Sequence, residues 1–110
     1  MKQREIWFAD LNPVKGSEQR GVRPVVIVSG NAMNDNLGIC IVCPLSSKIK
    51  DYAGCVVIKK SQVPGLESDS EIISFQIRTL SKVRFIKKIG EISCEELNKI
   101  KKGLNEILTY

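Results

Sequence analysis

The chain has 110 residues and carries 17 Lys and Arg against 12 Asp and Glu, so its net charge is +5 and its surface suits an anionic partner. At 43% hydrophobic and 26% charged residues it is one globular domain over residues 1–110, large enough to close a core without disulfides, and not a disordered tail. Histidine is absent, which removes imidazole acid–base catalysis, Ser-His and Cys-His pairs and the commonest metal ligand.

Glu5 to Leu11 reads as a first strand, with Ile6 and Phe8 set against Glu5, Trp7 and Ala9, and Asn12-Pro13 ends it. Val14 to Val22 is polar and glycine-bearing and reads as a long loop. Pro24 to Ser29 is a nearly continuous apolar run, the pattern of a central strand buried on both faces. A polar stretch from Asn31 to Asn36 leads into a second buried strand, Ile39 to Cys43, closed by Pro44. Cys55 to Lys59 is a further strand, 63–70 is turn chemistry, Glu71 to Ile77 is another strand, and Thr79 to Lys82 reads as a helical turn. Val83 to Ile92 alternates partly. Ser93 and Glu96 form a capping box ahead of Leu97, Ile100, Leu104, Ile107 and Leu108, which recur at helical spacing. Five or six short strands and one terminal amphipathic helix predict a mostly β fold, a small barrel or strongly bent sheet. The apolar runs are strand-sized, far below the roughly 20 residues of a spanning helix. The N-terminus has a basic start without an apolar continuation, so no membrane association, no secretory signal and a cytoplasmic location are expected.

Few residues offer chemistry. Cys40 and Cys43 have the CxxC spacing, but on a strand residues three apart point to opposite faces and do not grip one ion, so they read as buried small hydrophobes. Arg23 stands at the mouth of a buried strand, where it either binds phosphate or pairs with Glu18 or Asp10. Ser46 and Ser47 follow a buried strand and either cap a turn or face a site; Lys48 is a weak candidate as base to a Ser46 nucleophile. Trp7 is a stacking platform, a core residue or a subunit contact. The late basic residues from Arg78 to Lys102 read as a solvated face.

Three segments carry a family pattern: Ile6-Trp7-Phe8-Ala9-Asp10-Leu11-Asn12-Pro13, then Gly16-Ser17-Glu18-Gln19-Arg20-Gly21-Val22-Arg23-Pro24, and later Gln76-Ile77-Arg78-Thr79-Leu80. With Pro44-Leu45-Ser46-Ser47 and Asp69-Ser70 between them, the chain resembles the MazF/PemK family of toxin endoribonucleases over nearly its whole length. The resemblance implies a dimeric toxin with a small SH3-like or CcdB-like barrel, cutting single-stranded RNA without metal or cofactor and silenced by an acidic antitoxin. It implies catalytic roles for Arg23 and Ser46, the latter where the family more often has threonine. Trp7, Asn12, Glu18, Gln19, Arg20, Ser47, Gln76 and Arg78 would bind substrate around them. A histidine and an aspartate that serve the PemK branch are replaced here by Ser17 and Phe75. The rival readings are a CcdB-like gyrase poison of the same fold, which would use its terminal helix, and an inactive nucleic-acid-binding module.

Overall fold

A computed structural model describes residues 1–13 and 21–110. Among the described residues seven strands, against the five or six expected, form one antiparallel, curled sheet: β1 (Glu5–Asp10), β2 (Val22–Ile27), β3 (Ile39–Ser46), β4 (Val56–Ile58), β5 (Ser70–Ile72), β6 (Arg78–Ser81) and β7 (Phe85–Glu91). Their order is β4-β5-β3-β2-β1-β7, with β6 also pairing β3. Two helices join them, α1 (Asn31–Asn36) between β2 and β3, and α2 (Cys94–Thr109) after β7. The mostly β architecture with a terminal helix is the expected one, and β2 lies centrally between β1 and β3, as its unbroken apolar run requires.

Alternation along the strands divides the core in two. Ile6, Val26, Cys43 and Leu45 join a cluster that includes Leu97 and Ile100 of α2, while Ala9, Val25, Ile27, Cys40 and Val42 form a second cluster with Leu80. The thiols of Cys40 and Cys43 therefore belong to different clusters, the divergence that strand geometry demands. The helix begins where its signals put it: Ser93 Oγ accepts from the Glu96 N–H, and the Glu96 carboxylate accepts from the Ser93 N–H.

Three readings need correction, and one polar stretch gains an element. The strand expected from Glu71 to Ile77 is broken: the Ile73 N–H goes to the Pro44 carbonyl, the Gln76 N–H closes back on the Ile73 carbonyl, and a 3-10 turn at Ser74–Gln76 separates β5 from β6. The helical turn expected over Thr79 to Lys82 is strand as far as Ser81, and the turn falls on Lys82–Arg84. The polar stretch from Asn31 to Asn36 is the short helix α1, fastened by Asn34, whose side chain donates to the Ser29 carbonyl at 2.8 Å. Pro44 does not close β3. The β2–β3 ladder ends at the Val25–Pro44 pair, where proline has no N–H to give, but β3 continues to Ser46 by pairing Leu45 with Ile72 of β5.

Candidate active site

That change of partner at Pro44 builds the site. As β3 leaves β2 for β5, the sheet opens, and a cavity of about 960 Å³ lies at the gap. Arg23 and Pro24 of β2, Pro44 to Ser46 of β3, the following Ser47, Lys48, Lys50 and Tyr52, Ser70, and Phe75, Gln76 and Arg78 at the β5–β6 break all line it. The β2–β3 ladder stops at Val25 and Pro44, so Arg23 and Ser46 stand on the two strands just beyond its last pair, where the sheet opens. Arg23 is also paired with Ala9 of β1, so its backbone is fixed while its side chain is exposed. Ser46, half-buried, is paired with Glu71 of β5.

Ser46 Oγ accepts a hydrogen bond from the Lys48 N–H at 3.1 Å. This is the turn-capping bond, and it leaves the hydroxyl proton for a further acceptor, so capping and facing the site are combined in one side chain. Four cations line the cavity, Arg23, Lys48, Lys50 and Arg78, against a single carboxylate, Glu67, among the described residues. An anionic polymer entering here meets a positive field strengthened by the cavity's apolar walls of Phe8, Leu11, Leu45 and Ile73.

Of the residues singled out from sequence, Arg23, Ser46, Ser47, Gln76 and Arg78 come together in this cavity. Glu18, Gln19 and Arg20 lie outside the described residues, and so does any pairing of Arg23 with Glu18. Trp7 and Asn12 are elsewhere. The Trp7 ring meets Phe85 edge to face at 5.9 Å, beside the second cluster, and its Nε1 donates to Glu5 Oε1 at 3.0 Å. Asn12 is buried, its N–H and Nδ2 donate to Asp10 Oδ1, and its carbonyl accepts from Arg84 Nη1 at 2.6 Å. It thus shapes the turn at the end of β1. A Cβ on Gly21 would stand 1.9 Å from Asn12 Oδ1, which explains a glycine at the entry to β2.

The late basic residues are not simply a solvated face. Arg84 also donates to the Pro13 carbonyl, Lys82 Nζ donates to the Asn34 carbonyl, and Lys88 pairs with Glu5 at 3.1 Å. Glu71 and Tyr52 matter here without any sequence signal, and Phe75 stands out in the sequence only as the replacement of an aspartate. Glu71 is fully buried, yet its two oxygens accept from the Lys50 N–H and the Tyr52 N–H at 2.9 Å each, pinning the segment that follows Ser47. Tyr52 and Phe75, distant in sequence, meet in the cavity wall with centroids 5.1 Å apart.

Comparison with known proteins gives a consistent set. A family described as PemK-like, MazF-like toxin of type II toxin-antitoxin system matches residues 2–108. The chain is 36% identical over 105 residues to endoribonuclease EndoA of Bacillus subtilis, covering 94% of this chain and 90% of that protein. It is 32% identical over 109 residues to endoribonuclease MazF9 of Mycobacterium tuberculosis, covering 94% and 92%. The fold is similar, with a TM-score of 0.80 and 23% identity over 98% of this chain and 94% of the other, to an endoribonuclease from Mycobacterial species solved in complex with its cognate antitoxin.

Proposed function

The chain belongs to the MazF/PemK family of toxin endoribonucleases of type II toxin–antitoxin systems, and on that premise we propose that its cavity cuts single-stranded RNA without a metal ion, with Arg23 and Ser46 as the catalytic pair. The observation that carries this reading is that Arg23 near the start of β2 and Ser46 at the end of β3 line one cation-rich cavity. A ribose 2′-hydroxyl attacks the adjacent phosphorus and passes its proton to solvent water, a 2′-oxygen–phosphorus bond forms as the bond to the 5′-oxygen breaks, and negative charge builds on the phosphoryl oxygens. Arg23 stabilises that charge and gives a proton to the departing 5′-oxygen. A guanidinium cation has N–H donors and no acceptor, so its part is to stabilise charge and to donate. Ser46 donates its free proton to the scissile phosphate and orients it. The products are a 2′,3′-cyclic phosphate, or the 3′-phosphate from its hydrolysis, and a 5′-hydroxyl; DNA, lacking the nucleophile, is not a substrate. Lys48, Lys50 and Arg78 hold flanking phosphates, and Ser47 and Gln76 contribute hydrogen bonds to the strand.

The gyrase-poison reading is not favoured, because the curated relatives are endoribonucleases. As a type II toxin the protein has an antitoxin partner. We read that partner as an acidic segment lying over the cation-lined cavity, since a surface shaped for phosphates also accepts carboxylates. The reading further takes residues 1–110 as one domain of a homodimer, supported by Val83 and Ile86, which leave 64% and 58% of their surface open near the sheet edge at β7. It places the protein in the cytoplasm, where RNA and antitoxin are; no helix among the described residues is long and apolar enough to cross a membrane. Sequencing the 5′ ends of transcripts after brief induction tests the activity. Ends clustered at one short sequence are expected for the wild type and none for Arg23→Ala; equal cleavage by the two would overturn the assignment.

A further inference from the structure

Tyr52 and Phe75 form an open aromatic corner in the wall of the cavity. Their planes cross at 86°, so the edge of one ring meets the face of the other, and 46% and 47% of the two residues remain exposed. A soluble protein rarely leaves two large rings open side by side without an occupant. The backbone beneath both rings is anchored. The Tyr52 N–H is bound to the buried Glu71 carboxylate, together with the N–H of Lys50, and Asp51 between them takes the left-handed conformation at φ 54° that turns both groups toward it. Phe75 sits within the 3-10 turn, anchored by the Ile73 N–H on the Pro44 carbonyl at 2.9 Å and by the Ile77 N–H on the Ser74 carbonyl at 3.1 Å. The main chain that carries the two rings is therefore set in place by its own hydrogen bonds, and each ring has the other as a neighbour. Lys48, Lys50 and Arg78 line the same cavity.

We propose that Tyr52 and Phe75 form a stacking subsite for one unpaired base of the RNA strand, next to the cleavage site. The inference rests on the ribonuclease reading of the cavity and assigns it a base-binding position. An aromatic ring beside cations is the combination that holds single strands, the ring taking the flat face of a base and the cations its neighbouring phosphates. A base in a duplex has no free face to offer, so the corner selects single strands. Because every base has a π-face, it demands a base at one position with little regard to which base.

The probe is a single-stranded RNA oligonucleotide spanning the mapped cleavage sequence, with the nucleotide before the scissile phosphate made 2′-deoxy so that it is bound and not cut. An abasic nucleotide is walked through it. Wild-type protein is expected to lose about tenfold in affinity at one position, where exchanging one base for another changes affinity much less. The Tyr52→Ala/Phe75→Ala variant is expected to bind the parent oligonucleotide about tenfold more weakly and to ignore the abasic nucleotide at that position, whereas Tyr52→Phe/Phe75→Tyr keeps the wild-type pattern. Wild-type protein that cuts RNA but shows no abasic-sensitive position shared with the pair overturns the subsite and leaves the ribonuclease reading standing. Wild-type protein that cuts no RNA overturns both. Unimpaired RNA binding by the alanine variant with weakened inhibition by the antitoxin would give the corner to the protein partner, and would equally overturn the proposal.

Discussion

Arg23 and Ser46 line one cavity by way of two single-residue facts, the missing N–H of Pro44 where one ladder ends and the pairing of Ser46 with Glu71 that extends the other. Neither side chain is part of the buried core, so their loss should damage chemistry and not folding. Arg23→Ala is expected to lower the cleavage rate by about 10²–10³-fold with an unchanged melting temperature, the cost of losing a preorganised charge stabiliser. Ser46→Ala should cost less, because it positions the phosphate. Single-turnover kinetics on a short RNA checks both. Glu5 offers a stability test away from the site. Burial pushes its carboxyl upward, but hydrogen bonds from the Lys2 N–H and Trp7 Nε1, with the bond and charge of Lys88, outweigh it and hold the group below its ordinary value of 4.5. A depressed carboxylate stabilises the fold above its unfolded pKa, and that contribution is lost as pH falls through the folded value. Thermal melts followed by Trp7 fluorescence should therefore fall more steeply below about pH 4.5 in the wild type than in Glu5→Gln. The buried Cys43 thiol, pushed up to about 12 by desolvation and then by nearby Cys55, should resist alkylation at neutral pH while exposed Cys94 reacts. Peptide mapping after iodoacetamide treatment reads that difference.

At the scale of elements, α2 comes close to the segment before β4 through two glycines. A Cβ on Gly103 would lie 1.9 Å from the Gly54 carbonyl oxygen, and Gly54 itself holds φ 81°. Gly103→Ala should lower stability by about 1–3 kcal/mol in urea unfolding, through forced separation of helix and loop. An unchanged midpoint would show that the contact yields freely. The helix was the most legible element, because a capping box and a 3.6-residue repeat are local signals. The central strands were legible from their unbroken apolar runs. The stretch from Glu71 to Thr79 was not, since whether it is one strand or two depends on β3 as partner and on the burial of Ser74, both invisible to a local pattern. The same limit applies to the site. Arg23, Ser46, Gln76 and Arg78 were legible through motif segments and do share the cavity, whereas Trp7 and Asn12, from the same segments, were drawn into packing and turn contacts. Tyr52, Phe75 and Glu71 could not be found by spacing, because tertiary pairing alone brings them together.

For the whole molecule, a +5 chain with four cations around one cavity should bind RNA in a salt-dependent manner, weakening as counterions compete for the phosphates. Sedimentation at micromolar concentration should give twice the 12.3 kDa chain mass, and a monomer would count against the dimer. The central claim is that this cavity cuts RNA through the ribose 2′-hydroxyl without a metal ion. It is tested most directly with two oligonucleotides of the mapped cleavage sequence, one all-ribose and one with a single 2′-deoxy nucleotide before the scissile phosphate, both incubated with the protein in excess EDTA. The first strand should be cut to a 2′,3′-cyclic phosphate or 3′-phosphate and a 5′-hydroxyl, and the second should stay intact. Cleavage of the deoxy-substituted strand at the same bond, or cleavage that returns only when a divalent ion is added, would contradict it.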